Sequence, residues 1–171
     1  MAEYGFFIPS AGRTLIAGLL AGETLEISRV MVGSGKPQSQ EDLASLTDLV
    51  APVAQATSTN PLRKGDSVEM VVEYRSDLNG GLGTGFWLNE FGIFAMDGDD
   101  EVMIYYGCLG DFPQWVSAYN DGAIDIRRYP VSINVSTDVQ VIITYPALAF
   151  MTADDVEQFC MTTILPQFLV E

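Results

Sequence analysis

Apolar and polar positions along this chain repeat mostly in twos, and fall into threes and fours only near its two ends. Residues 68–75 alternate most cleanly. Val68, Met70, Val72 and Tyr74 share one side and Glu69, Glu73 and Arg75 the other, with Val71 the one misfit, which predicts a strand with a core face and a wet face. Residues 86–96 and 101–108 break that rule by being apolar on both sides of the pleat. Phe86, Leu88, Phe94 and Met96 have one parity, Trp87, Phe91, Ile93 and Ala95 the other. With the acidic turn Asp97-Gly98-Asp99-Asp100 between them, the two runs predict a β-hairpin. Such a hairpin must lie inside a two-layer core or give one face to another chain.

The remaining elements follow from the same pattern. Leu15, Ile16, Leu19 and Leu20 have helical spacing, with Ser10 as the predicted cap and Gly22 as the stop. Residues 24–32 read as a strand whose apolar phase slips near Ser28, the sign of a bulge. A short helix is expected around residues 41–46, then an extended segment at 49–59. The glycines at 80, 81, 83 and 85 predict a flexible loop. Two strands follow residue 122: one interrupted by Pro130, which favours a sheet edge or a bulge, and one built on Val139, Val141, Ile143 and Tyr145. Thr152 is the predicted cap of a last helix carrying Val156, Phe159, Cys160, Thr163 and Ile164 on one side, ended by Pro166. These elements predict an α+β, mainly β fold over residues 1–171 as a single domain. Its antiparallel sheets form a sandwich-like core with an N-terminal and a C-terminal helix packed on it.

Composition narrows what such a domain does. Net charge is −15 and 48% of residues are hydrophobic, so the chain has material for a core and repels phosphate backbones and anionic membranes; neither nucleic acid nor membrane insertion is expected. There is no histidine, which removes Ser-His-Asp and Cys-His catalysis and the imidazole ligands of most zinc and iron sites. Cys108 and Cys160 read as buried thiols, and Met1-Ala2-Glu3-Tyr4 lacks the basic start of a secretory signal, so assembly in the cytoplasm is expected. Gly33-Ser34-Gly35-Lys36 suggests a phosphate loop, but Val30 and Pro37 stand where the motif needs glycine and Ser or Thr. No metal site or cofactor is predicted.

One acid stands out. Glu90, between Leu88 and Phe91-Gly92-Ile93, is costly to bury unless hydrogen-bonded, and Gly92 beside it signals a close backbone approach or a bulge. It is read as a structural carboxylate that ties a loop or an arginine. Acid–base chemistry would require a second acid, Asp97 or Asp111, and the chain is read as having no enzymatic activity. The loop at 110–122 carries Phe112, Trp115 and Tyr119 among turn residues, and Phe168-Leu169-Val170 form a short apolar tail before Glu171. Phe112, Trp115, Tyr119, Phe168 and Leu169 are the candidate protein contacts.

The run Glu90-Phe91-Gly92-Ile93-Phe94 followed by Asp97-Gly98-Asp99 resembles the amino-terminal domain of phage tail-collar fibre proteins. The motif residues are Glu90, Gly92, Phe94, Asp97 and Gly98. The resemblance extends over residues 7–159 through the order and spacing of elements: a Leu/Ala-rich helix, a strand ending in a Gly loop, a short acidic helix, the hairpin, an aromatic loop and two closing strands. It implies a structural component of a virion tail or tail-like particle, made in the bacterial cytoplasm, that fastens a homotrimeric fibre to a baseplate protein. Two features differ from the family pattern: the chain stops at Glu171, and the loop with Trp115 and Tyr119 differs from the proline-rich loop the family carries there. The alternative function is a carbohydrate-binding β-sandwich module that uses Trp115 and Tyr119 as stacking platforms.

Overall fold

The computed structural model describes residues 5–150, 153, 156–157 and 160–169. Eleven strands are assigned among them: β1 (Phe6–Phe7), β2 (Thr24–Gly33), β3 (Pro52–Ser58), β4 (Leu62–Lys64), β5 (Ser67–Arg75), β6 (Phe86–Leu88), β7 (Glu90–Asp97), β8 (Asp100–Cys108), β9 (Gln114–Val116), β10 (Ile126–Asn134) and β11 (Gln140–Ile143). Helix α1 (Ser10–Gly18) lies over β8, and α2 (Gln40–Ser45) begins at Ser39, whose side chain accepts from Asp42 N.

Nine strands form one curled sheet in the order β1-β8-β7-β2-β3-β5-β10, with β11 beside β2 and β4 beside β5. The curl happens in β3, which pairs with β2 over Ala54–Ala56 and then with β5 through Thr57 and Ser58. Two layers result, and they meet face to face. Phe91 from β7 stacks on Tyr129 from β10 with ring centroids 5.1 Å apart. All pairings are antiparallel except β11 with β2. The mainly β, sandwich-like expectation is met.

The doubly apolar hairpin lies inside two cores. Phe91, Ile93 and Ala95 face the large core between the layers, whereas Phe94, Met103, Tyr106 and Cys108 face a second one closed by Leu43 and Leu49. Its turn places Gly98 first, at φ +64°, between the paired Asp97 and Asp100, as a type II′ turn requires. The expected bulge near Ser28 is present as a register slip between Ile27 and Arg29 against β7.

Several expectations need correction. The run at 85–96 is not one strand: it breaks at Asn89, and β6 leaves the main sheet to pair with β9. Ser10 makes no capping bond, and α1 stops at Gly18 rather than at Gly22. The wet face of β5 is wrong at two positions, since Glu73 and Arg75 are buried. In the Gly-rich loop, Gly81 and Gly85 lie where a β-carbon would collide with the rings of Tyr119 and Trp115, whereas Gly80 and Gly83 have open space around them. At the C-terminus, Pro166 does not end the helix; it lies inside the short helix α3 (Leu165–Leu169), which follows a π-helical turn at Cys160–Ile164. The predicted cap Thr152 and Phe159 lie outside the described residues. Met161, Leu165 and Phe168 are exposed.

Pro130 stands in an edge strand, as expected, and without a bulge: β10 is in unbroken register with β5 from Ile126 to Asn134. Its opposite residue, Val71, turns its own N–H and C=O toward Thr59 on the other side. The Val71–Pro130 pair is therefore a non-hydrogen-bonded one, and the missing N–H of Pro130 faces outward. The ladder loses nothing, and the open edge loses a donor that a stray strand could use.

Two outcomes test this packing. A methyl group on Gly107 would overlap the Phe91 ring, so Gly107→Ala should lower stability by about 1–3 kcal/mol in denaturant unfolding. Burial raises Tyr105 and Tyr129 from an ordinary pKa of 10.0 to about 12. The unfolded chain releases these protons first, so their contribution to stability is intact below pH 10 and is lost as pH rises toward 12, which alkaline denaturation curves will show.

Candidate functional site

Two adjoining features hold several of the residues singled out from sequence: a buried knot at Asn89 and Glu90, and an exposed aromatic ribbon made by β6 and β9.

Glu90 opens β7 and is 1% exposed. Its Oε1 accepts from Ala51 N at 2.7 Å and Gly35 N at 3.2 Å; its Oε2 accepts from the Tyr106 hydroxyl at 2.6 Å and Val50 N at 3.1 Å. Four donors around one carboxylate satisfy both oxygens without a basic residue. Burial, reinforced by the bond to Glu90, raises the Tyr106 pKa, so that hydroxyl keeps its proton and donates. Gly35 must be glycine here, because a β-carbon would sit 2.9 Å from Glu90 Oε1. The loop that imitates a phosphate-binding sequence thus binds a carboxylate of its own chain. Asn89 continues the knot: its N–H bonds to Gly33 O, and its side-chain amide donates to Gly35 O and Gly110 O. Together the two residues tie the turns after β2, before β3 and after β8.

Neither acid named from sequence is among the hydrogen-bond partners of Glu90. Asp97 lies at the far end of β7, roughly 20 Å away at the usual rise per residue, and Asp111 pairs with Lys36 at 3.1 Å. Gly92 matches its predicted role, with Leu49 and Met103 each 2.9 Å from where its β-carbon would be. Phe94 is buried under the Arg29 guanidinium, which is 3.9 Å from the ring centre and bonded to Glu101 at 2.6 Å.

The ribbon shows period-two alternation over three residues. Leu88 and Val116 are buried and Phe86 packs on the core, its ring edge-on to Tyr74 at 5.5 Å. Trp87 and Trp115 lie opposite each other in register and face outward, 55% and 45% exposed, with rings edge-to-face at 5.3 Å. Arg127 donates to Trp115 O at 2.6 Å, which ties the ribbon to β10. Phe112, 82% exposed, precedes β9, and Tyr119, half exposed, follows it against Gly81. The structure therefore sets Trp115 beside Trp87, with Phe112 and Tyr119 flanking β9 along the chain. Phe168 is exposed on α3, and the side chain of Leu169 lies outside the described residues.

Sequence reasoning missed Trp87, which it assigned to a continuous strand. The signal was Asn89: a polar residue with turn preference inside an apolar run, which splits the strand and resets its parity.

Removing a donor or the charge from the knot measures its worth. Tyr106→Phe should cost about 1.5–3 kcal/mol, and Glu90→Gln at least as much, because an amide NH2 then faces donors. Denaturant midpoints check both.

Comparison with known proteins finds no family model, no curated protein and no solved structure that matches this chain.

Proposed function

We propose that this protein is a structural component of a phage tail or tail-like particle, which attaches a fibre to the baseplate through protein–protein contacts and catalyses no reaction. The order of elements that resembles the tail-collar fibre domain motivates the reading. The observation that carries it is the outward Trp87–Trp115 pair, since exposed tryptophans are the kind of anchor that dominates protein interfaces. Both buried acids support a non-catalytic role: Glu90 is occupied by four donors and Glu73 by two arginines.

Charge indicates the partner's character. All eight Lys and Arg side chains are engaged within the chain, five by carboxylates and, among the described residues, three through backbone carbonyls rather than a carboxylate: Arg13 by Ile8, Arg63 by Gly65, Val135 and Val139, and Arg127 by Ile126 and Trp115. The acidic surplus faces outward and selects a surface with a basic rim. A carbohydrate-binding module is the second reading, favoured by the same Trp pair as a stacking platform.

Light scattering of the protein alone and with a candidate baseplate protein tests the first reading. Assembly to about three times the chain mass, or a complex with the baseplate protein, is expected. Trp87→Ala should weaken that association about 30-fold or more while far-UV circular dichroism stays unchanged. A strict monomer that ignores tail proteins, with tryptophan fluorescence that responds to glycans, would overturn it in favour of the second.

A further inference from the structure

The chain after β11 is held by side chains rather than by a strand ladder. Residues 145–150 cross the outer face of the second layer over one cross-strand row: Thr57 of β3, Glu73 of β5 and Arg128 of β10, which are opposite one another in register. Thr57 Oγ1 donates to Pro146 O at 3.2 Å and accepts from Leu148 N at 3.0 Å. Phe150 N donates to both Glu73 oxygens at 3.2 Å. Arg75 donates to Leu148 O, Arg128 to Phe150 O, and the Arg75 guanidinium lies 4.1 Å from the centre of the Phe150 ring. Tyr145 is tied to Ser58 at 2.7 Å, and Thr144 N bonds to Ile27 O.

What lies under this strap is ionic. Glu73 is 0% exposed and is bonded to Arg75 at 2.9 Å and Arg128 at 2.6 Å, while Arg75 also bonds to Asp77 at 3.0 Å. These pairs stay satisfied without the strap. A segment that seals an apolar face leaves greasy surface behind when it lifts. This one would leave charged groups that water solvates well. Leu148 and Phe150 are each about half exposed in place, so lifting also gives up little apolar burial.

We propose that residues 146–150 form a releasable latch, seated on the Thr57–Glu73–Arg128 row, that opens while the two-layer core stays folded. It governs where the following segment leaves the body. That segment carries the exposed apolar side chains Val156, Met161, Ile164, Leu165 and Phe168, so the latch sets which direction they are presented. The proposal stands apart from the fibre-attachment reading, because it requires nothing of the aromatic ribbon.

Hydrogen exchange by mass spectrometry on the full chain tests it. The amides of Leu148 and Phe150 should exchange at least about tenfold faster than those of Tyr129 and Val131 in the β10 ladder, as local opening requires. Arg128→Ala should speed the strap amides a further tenfold or more, the size of a lost charge-assisted hydrogen bond, and leave the ladder amides unchanged. Thr57→Val, which removes the bonds to Pro146 and Leu148, is the second variant should Arg128→Ala not fold. Strap and ladder exchanging at one common rate, in the native protein or in the variant that folds, would overturn the latch.

Discussion

A carboxylate removed from water costs several kcal/mol unless donors meet its oxygens, and the body of this protein is arranged to meet those of Glu90. Three of its four donors are main-chain amides, from the turn after β2 and from the segment entering β3. Those two stretches would otherwise carry unpaired N–H groups next to the sheet. Gly33 and Gly35 allow the approach, Tyr106 closes it from β8, and Asn89 extends it to the turn after β8. Strand β6 of the ribbon ends one residue before Asn89. Its orientation therefore depends on where the knot breaks the strand.

A second buried carboxylate, Glu73, uses a different solution on the other layer. Its partners are two guanidiniums, one on its own strand and one across the ladder, and a main-chain amide of the crossing strap. In a chain with so few cations, two of them serve one acid beneath a backbone segment. The remaining bases are also engaged within the chain, and with 23 acids to 8 bases the surface carries a large negative excess. Such a surface keeps copies apart in solution and favours association where apolar contact or a basic partner offsets the repulsion.

Local pattern made much of the fold legible. The core face of β5, the turn at Gly98, the bulge near Ser28 and the doubly covered hairpin were all encoded by residues close in sequence. The structural role of Glu90 was legible as well, because a lone acid in an apolar run permits few alternatives. What stayed hidden depends on distant chain. Glu73 and Arg75 look like a solvated face until residues 146–150 cross them, and no periodicity in β5 reports that. Trp87 was hidden for a related reason: β6 is a strand only because β9, some thirty residues later, pairs with it. The parallel partnership of β11 with β2 has no local signal either.

That partnership governs the order in which the molecule can be completed. β2 touches β7, β3 and β11, and its first half is bordered by residues 140–143, more than a hundred positions downstream. During synthesis residues 24–27 of β2 must wait, unmatched on that side, until residues 140–143 have been made. Closure of that edge is thus a late event, and a fragment stopped before residue 140 would present a raw edge to whatever lies near it.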